Sequence, residues 1–424
     1  MTEMLYGVRE GEVNLERYQL QELNQLLVFA AQFNDFYKEK LAHVSLPIQS
    51  NEDLLEVPFT LKSELSKDQI DFAPYGRNHS YPESSYIRYH QTSGTSGRPL
   101  KILDTKESWE WWSDCWVKVL ESSGVTKEDR LYLAFSFGPF VGFWSAYEGA
   151  KKVGTTVFPG GGQSTIERLN SIIENKATVL LCTPSYALHL AEVASANNID
   201  IKNAHIETII TAGEPGGSIP SVREHIERLW SAKLYDHVGM TEMGAYGYSC
   251  SEQKGIHVNE EHFICEVIDP QTSLPVAEGE RGELVLTNLK RYGYPLIRYR
   301  TGDIVINTNT KCPCGNSHKH LPGGIIGRAD DMVVIRGINI FPQSIEAIVR
   351  EFNEVTEFSI VYYTIEEMDQ IKVKVETENE GIKDDLQKRL RDRVGLRVQV
   401  DVVENGSLPR FEMKAKRVVD ERVK

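Results

Sequence analysis

The chain has 424 residues, more than one hydrophobic core usually serves, so two or more domains are expected. Apolar residues are 41% of it and charged residues 25%, and a net charge of -14 argues against nucleic acid or an anionic membrane surface as the main partner. No run approaches the ~20 apolar residues of a membrane span, and the opening MTEMLYGVREGEVNLERYQL lacks an apolar signal core. A cytoplasmic protein is therefore expected, its six cysteines present as thiols or metal ligands.

Along the chain, residues 14–43 carry Leu20, Leu23, Leu26, Leu27 and Ala30 at helical spacing. From about residue 106 helices and strands alternate. The Trp-rich helix WEWWSDCWVKVLESSG precedes the apolar run LYLAFSFG, and a helical stretch around Tyr147–Lys152 precedes TTVFPGGG. Then ERLNSIIENK precedes TVLLCTPS, LHLAEVASANN precedes HIETIITAGEPGG, and VREHIERLW precedes AKLYDHVG. Such alternation with short turns predicts an α/β fold whose mostly parallel sheet is covered by helices. Ligands of such sheets bind beyond the carboxyl ends of the strands, where PGGG, CTPS, AGEPGG and VGMTE sit. From about 263 the strands FICEVIDP, GELVLTNL and PLIRYRTGDIVI predict an antiparallel subdomain. After GRADDMVVIRG the pattern is βαββα-like: VVIRG, PQSIEAIVREF, TEFSIVYYT, QIKVKVETE, KDDLQKRLRDRVG and the strand RVQVDVVE. Two domains are expected: residues 1–329, and a small α+β unit over 330–424.

Thr92, Ser93, Gly94, Thr95, Ser96 and Gly97 form one unbroken run in HQTSGTSGRPLK. It is a loop by composition: a slack surface loop, or closely spaced N–H and hydroxyl donors around a phosphate with Lys101 nearby. The pattern G-x-x-x-x-G-K-S/T does not fit, because Arg98 and Pro99 follow Gly97.

Four further stretches occur in order: YDHVGMTEMG, YPLIRYRTGDIV, GRADDMVVIRGINIFPQSIE and LPRFEMKAKRVVD. With the Ser/Thr/Gly run they resemble the adenylate-forming superfamily of acyl-CoA synthetases, peptide-synthetase adenylation domains and luciferases. FSFGPF, GGGQS, CTPSY and AGEPG resemble its phenylacetate-CoA ligase branch. The resemblance implies an AMP-forming aryl-CoA ligase that joins a carboxylate to ATP as acyl-adenylate and passes the acyl group to a thiol. ATP, Mg2+ and CoA are the cofactors and co-substrates it implies. Catalysis of this kind is positioning plus electrostatics.

By that resemblance Thr92 to Gly97 wrap the β- and γ-phosphates, Thr241 touches the α-phosphate and Glu242 holds Mg2+. Asp303 accepts both ribose hydroxyls. Gly213, Glu214 and Pro215 line the adenine, Asp236 stands near its amino group, and Arg328 reaches the ribose or phosphates. Lys414 lies between carboxylate and α-phosphate during adenylation. Asp330 is the hinge on which the C-terminal unit turns between half-reactions, and Gly337 lines the thiol tunnel. Taken singly, Asp303 is as readily a turn cap, Glu242 a solvated acid, Lys414 part of a basic tail and Arg328 an ion pair with Asp330 or Asp331. Val238 departs from the family's aromatic residue on adenine, so stacking falls to Tyr235 or weakens, and Met413 replaces a common glycine.

Phe135, Phe137, Gly138 and Phe140, with Ala212, Gly239 and Gly244, are read as an acid pocket for a flat aromatic ring of the phenylacetate or benzoate type; ordinary core packing is the alternative for the phenylalanines. Cys250 and His257 (C-x6-H) with Cys312 and Cys314 (C-x-C) make a closed set suited to structural Zn2+, His318 being an alternative fourth ligand. Cys115, Cys182 and Cys265 read as buried thiols. The acceptor is CoA or the pantetheine of a carrier protein. Arg336, Lys374 and Arg397 are candidates for a basic patch that would favour CoA, and a homodimer is compatible with the resemblance.

Overall fold

The computed structural model describes residues 15–50, 52–92, 98–335, 338–365, 368–411 and 415–422. An eight-stranded sheet runs in the order His320–Pro322, Gly255–Val258, Gly244–Tyr248, Lys233–Met240, Thr208–Thr211, Val179–Cys182, Arg130–Leu133, Thr156–Pro159. From Thr156–Pro159 to Lys233–Met240 the pairs are parallel. Beyond Lys233–Met240 they are antiparallel.

The inner parallel strands Arg130–Leu133, Val179–Cys182 and Thr208–Thr211 are buried on both faces, as their continuous apolar runs require, while the edge strand Thr156–Pro159 is only partly covered. Alternate residues enter different cores. Leu131, Leu133, Val179, Leu181 and Ile210 pack with the helices Lys106–Ser122 and Gly142–Val153. Tyr132, Leu180, Cys182 and Ile209 pack with Thr165–Glu174, Pro184–Ala196 and Pro220–Trp230. Burial of each large apolar side chain contributes about 1.5–3 kcal/mol.

Local signals place the helix starts. Ser164 caps Thr165–Glu174 in a capping box with Glu167. Thr183 caps Pro184–Ala196, with Pro184 in the first turn where its missing N–H costs nothing. Thr105 accepts from Ser108 N at 3.2 Å to start Lys106–Ser122.

The expected antiparallel subdomain is a four-stranded sheet of Phe263–Ile268, Arg281–Asn288, Tyr299–Ile306 and Gly327–Arg328. A hairpin of Tyr86–Gln91 with Lys101–Thr105, not foreseen from the sequence, brackets the Ser/Thr/Gly run. Near the C-terminus the sheet order is Gln399–Val403, Met368–Glu376, Glu357–Ile365, Val418–Asp420. The helices Pro342–Val349 and Ile382–Val394 share its core. The short strand Val418–Asp420 adds a parallel edge that the βαββα pattern did not include. Among the described residues no helix is long and apolar enough to cross a membrane.

We expect Ser164→Ala to cost about 1 kcal/mol of stability, read as a lower urea midpoint with an unchanged denaturant slope.

Candidate active site

The strand Lys233–Met240 is where the sheet turns from parallel to antiparallel, and its carboxyl end leads into the turn Thr241–Glu242–Met243. Asp236 sits on it, 6% exposed. Its Oδ2 accepts from Ser218 Oγ at 2.5 Å and its Oδ1 from Thr211 Oγ1 at 3.4 Å. Burial pushes the Asp236 carboxyl up to about 6, against the pull of those hydroxyls. Gly217 makes the arrangement possible: a Cβ there would stand 2.4 Å from both Asp236 Oδ1 and Thr211 Oγ1. Gly213, Glu214 and Pro215 follow the neighbouring strand Thr208–Thr211, so the same sheet edge brings them near Asp236. Tyr235 is 7% exposed and belongs to the first core. His237 lies against Trp116, ring centroids 4.3 Å apart.

Glu242 is 6% exposed and meets Lys62 Nζ at 3.0 Å. Its backbone oxygen accepts from Arg291 Nη1 at 2.6 Å. Arg291 in turn makes two bonds to Asp104, Nε to Oδ1 at 2.9 Å and Nη2 to Oδ2 at 3.0 Å, with both side chains fully buried. Asp104 belongs to Lys101–Thr105, the strand leaving the Ser/Thr/Gly loop. Thr92 enters that loop: its Oγ1 accepts from Leu100 N at 3.0 Å, so the hydroxyl closes the hairpin. Ser93, Gly94, Thr95, Ser96 and Gly97, like Gly337 and Lys414, lie outside the described residues. Lys62, Asp104 and Arg291 were missed in the sequence. A lone charged residue carries no sign of burial, and Asp104 stands 187 positions from Arg291.

Asp303, on Tyr299–Ile306, is 6% exposed and lies directly across from Arg328. Its Oδ1 accepts from Arg328 Nη1 at 2.8 Å and its Oδ2 from Tyr246 Oη at 2.9 Å. Arg328 also donates from Nε to Asp330 Oδ1 at 2.9 Å, so Asp330 is paired where the chain leaves this sheet. Burial works against the guanidinium charge, but Asp303, Asp330 and Asp331 outweigh it and raise its pKa. Tyr246 was not foreseen either; it lies on Gly244–Tyr248 and so ties the two sheets together at Asp303.

Of the acid-pocket candidates, Phe135 packs on Phe143 and Phe137 on Trp144, ring centroids 3.5 and 4.7 Å apart. Gly138 O accepts from Trp144 Nε1 at 3.0 Å. Phe140 and Ala212 are half-buried and Gly239 is exposed. Gly244 differs: a Cβ there would lie 2.7 Å from Trp111 Cη2 and 2.8 Å from Phe263 Cζ. Trp111 and Phe263 therefore pack directly against this glycine.

Cys250, His257, Cys312 and Cys314 converge, each offering a ligand atom within 4.8 Å of the others. Cys250 Sγ is 3.6 Å from Cys312 Sγ, and Cys314 Sγ is 3.4 Å from His257 Nε2. These are close to the about 3.8 Å edge of a tetrahedron of thiolates around zinc. His257 Nδ1 sits 3.1 Å from the His318 carbonyl, which leaves Nε2 as the acceptor facing the thiols. His318 is turned instead to Tyr248 Oη at 3.0 Å. Cys115 and Cys182 are fully buried in the cores as expected, and Cys265 is partly buried.

Residues 25–289 match the family model of AMP-binding enzymes, and residues 337–422 match that of the AMP-binding enzyme C-terminal domain. The chain is 30% identical over 438 residues to a phenylacetate-coenzyme A ligase of Thermus thermophilus, covering 96% of this chain and 97% of that one. It superposes on 2-hydroxyisobutyryl-CoA ligase in the postadenylation state, in complex with R3-HIB-AMP, with a TM-score of 0.90 at 30% identity, covering 96% of this chain and 89% of that one. Against the same enzyme with 2-HIB-AMP and CoA in the thioesterification state the TM-score is 0.73, covering 97% and 91%. The arrangement of this chain therefore follows the former state more closely than the latter.

Two outcomes follow from the geometry. Arg291→Met, which leaves Asp104 buried without its counter-charge, should cost about 3–5 kcal/mol in urea unfolding. Asp236 has a folded pKa of about 6 against an ordinary 3.8, so it holds its proton more tightly when folded. Its contribution to stability is full below about pH 4 and is lost as pH rises through about 6. Asp236→Asn should therefore gain on the wild type across that window and hold a constant advantage above it; a flat difference would contradict the buried carboxyl.

Proposed function

The chain belongs to the AMP-binding enzyme family, in its phenylacetate-CoA ligase-like branch, and we propose that it activates an aromatic carboxylic acid of the phenylacetate or benzoate type. The family's reaction is an AMP-forming acid–thiol ligation with ATP, a carboxylic acid and CoA as substrates. The carboxylate attacks the α-phosphorus of ATP and pyrophosphate leaves. The CoA thiol then attacks the acyl carbon of the adenylate, and AMP leaves with the electron pair of the broken C–O bond.

One observation carries the assignment of roles. The Tyr246–Asp303 bond joins the two sheets and sets an oriented carboxylate beside the strand and turn that hold Asp236 and Glu242. Asp303, oriented by Arg328 at Oδ1 and Tyr246 at Oδ2, is an acceptor-only carboxylate, which suits a pair of ribose hydroxyls. Asp236, still able to accept at the Oδ1 that Thr211 holds only at 3.4 Å, suits the exocyclic amine of adenine lying along Gly213–Pro215. Arg328 neutralises Asp303 and reaches the same ribose edge. Thr241 faces the α-phosphate, and residues 92–97 enclose the β- and γ-phosphates. Lys414 supplies a positive charge to carboxylate and α-phosphate. Asp330 is the hinge between residues 1–329 and 330–424, and Gly337 lines the path of the thiol. Phe135, Phe137, Gly138, Phe140, Ala212 and Gly239 border the acid.

A hard cation fits the Glu242 carboxylate, an oxygen ligand in a nearly dry position beside Lys62. Mg2+ bound there would offset charge on the pyrophosphate leaving group. Zn2+ fits Cys250, His257, Cys312 and Cys314, whose spacing and tautomer match a closed structural site. It would pin the turn 312–314 to the strand Gly255–Val258.

ATP–pyrophosphate exchange across a panel of carboxylic acids, with and without CoA, tests the reading. Exchange driven by a phenylacetate or benzoate relative, with thioester formed on adding CoA, is expected. Exchange without CoA thioester would assign the acceptor to a carrier protein, and absence of exchange with every acid would refute the ligase. Elemental analysis should find about one zinc per chain, lost in Cys312→Ser; a metal-free, fully stable wild type would refute the zinc site.

A further inference from the structure

The C-terminal segment meets the rest of the chain through polar contacts that converge on the start of the helix Pro184–Ala196. Glu214 is at the centre. Its Oε1 accepts from Ser185 N at 2.8 Å and its Oε2 from Ala415 N at 2.7 Å. Arg417 donates to Ser185 Oγ at 2.9 Å while paired with Glu357 at 2.6 Å and Glu346 at 3.3 Å. Farther along the same helix, Glu192 meets Arg410 at 3.1 Å, and Arg410 also holds Glu376 at 2.8 Å. On the next helix Arg228 donates to Asn353 at 2.7 Å.

The physical logic of Glu214 is asymmetric. The first N–H groups of a helix have no partner inside it, and the helix dipole favours an anion there. Ser185 N therefore holds one Glu214 oxygen whatever the C-terminal segment does. The other oxygen is left presented to a donor, and the donor it meets is the backbone at Ala415, 201 positions away. Residues 25–289 and 337–422 match separate family models, and one neighbouring enzyme superposes at 0.90 in one state and 0.73 in another. The Glu214–Ala415 bond belongs to the arrangement that resembles the first of these.

We propose that Glu214 is a positioning residue that clamps the segment Ala415–Arg417 against the start of the helix Pro184–Ala196, and so holds the chain in the arrangement that forms the acyl-adenylate. The proposal rests on the ligase reading above. The bond must break before the C-terminal unit can take up the arrangement for thioester formation, so weakening it penalises the first half-reaction selectively.

The test uses the full chain as wild type, Glu214→Gln and Glu192→Gln. Exchange is measured with ATP, pyrophosphate and phenylacetate or the active acid of the panel; thioester formation is measured from the corresponding acyl-adenylate and CoA. Gln cannot accept two N–H donors through its two end atoms, so Glu214→Gln should lower kcat of exchange about tenfold or more. Adenine would lie along the backbone of Gly213–Pro215 while the Glu214 carboxylate is taken up by Ser185 N and Ala415 N, so the KM for ATP should stay within about twofold. The ratio of thioester formation to exchange should rise by at least the same factor. Glu192→Gln, on the exposed rim, should shift the ratio the same way by about twofold. A rise in the KM for ATP with kcat retained, or a ratio unchanged in both variants, overturns the proposal. If the wild type exchanges with no acid, the ligase reading itself has failed; wild-type exchange with an unchanged ratio refutes the clamp alone.

Discussion

The buried pair of Arg291 and Asp104 is the constraint on which the nucleotide end of this protein depends. Both side chains are fully removed from solvent. Removing two such charges from water costs several kcal/mol each, and only near-ideal geometry repays it. That geometry is present: two parallel N–H···O bonds, with the guanidinium among the rings of Trp111, Trp112 and Tyr294. Its Nη1 donates to the backbone oxygen of Glu242. One cation thus fixes the strand leaving the Ser/Thr/Gly loop, the helix whose cap, Thr105, follows Asp104 in the chain, and the turn bearing Thr241 and Glu242.

Around that point the sheet distributes functions by its alternation. Lys233–Met240 ends the parallel run, and the antiparallel partner Gly244–Tyr248 returns at once. Asp236 lies on the strand at that edge, Glu242 in the turn, and Tyr246 on the return reaches across to Asp303. Three carboxylates that repel one another as free groups are held apart by different partners: hydroxyls for Asp236, Lys62 for Glu242, Arg328 and Tyr246 for Asp303.

The parallel sheet and its helices were legible because both of its faces are buried, so apolar runs and helical periods alternate cleanly. The antiparallel subdomain was legible by its strand-rich pattern, and the Cys/His set by its spacing. The hairpin Tyr86–Gln91 with Lys101–Thr105 was not, because its connecting run reads as loop and hides the pairing across it. Gly244–Tyr248 was missed because a glycine-rich strand carries weak strand propensity, and Gly255–Val258 because it is only four residues long. Gly244 also admits Trp111 and Phe263, a packing that its sequence context does not reveal. The choice between His257 and His318 depended on pairing His257 with His320 across two strands, which spacing alone cannot reveal. Ion pairs such as Arg298–Glu266 and Arg417–Glu357 were invisible for the same reason: buried and exposed charges look alike in a sequence.

The measurement that tests the central claim most directly is a crystal structure of the full chain with a non-hydrolysable acyl-adenylate analogue. The account predicts both ribose hydroxyls within hydrogen-bonding distance of Asp303, the adenine amine at Asp236, and Arg291 still bridging Asp104 and the Glu242 carbonyl. A nucleotide bound with its ribose away from Asp303, or a site in which Arg291 has released Asp104, would contradict it.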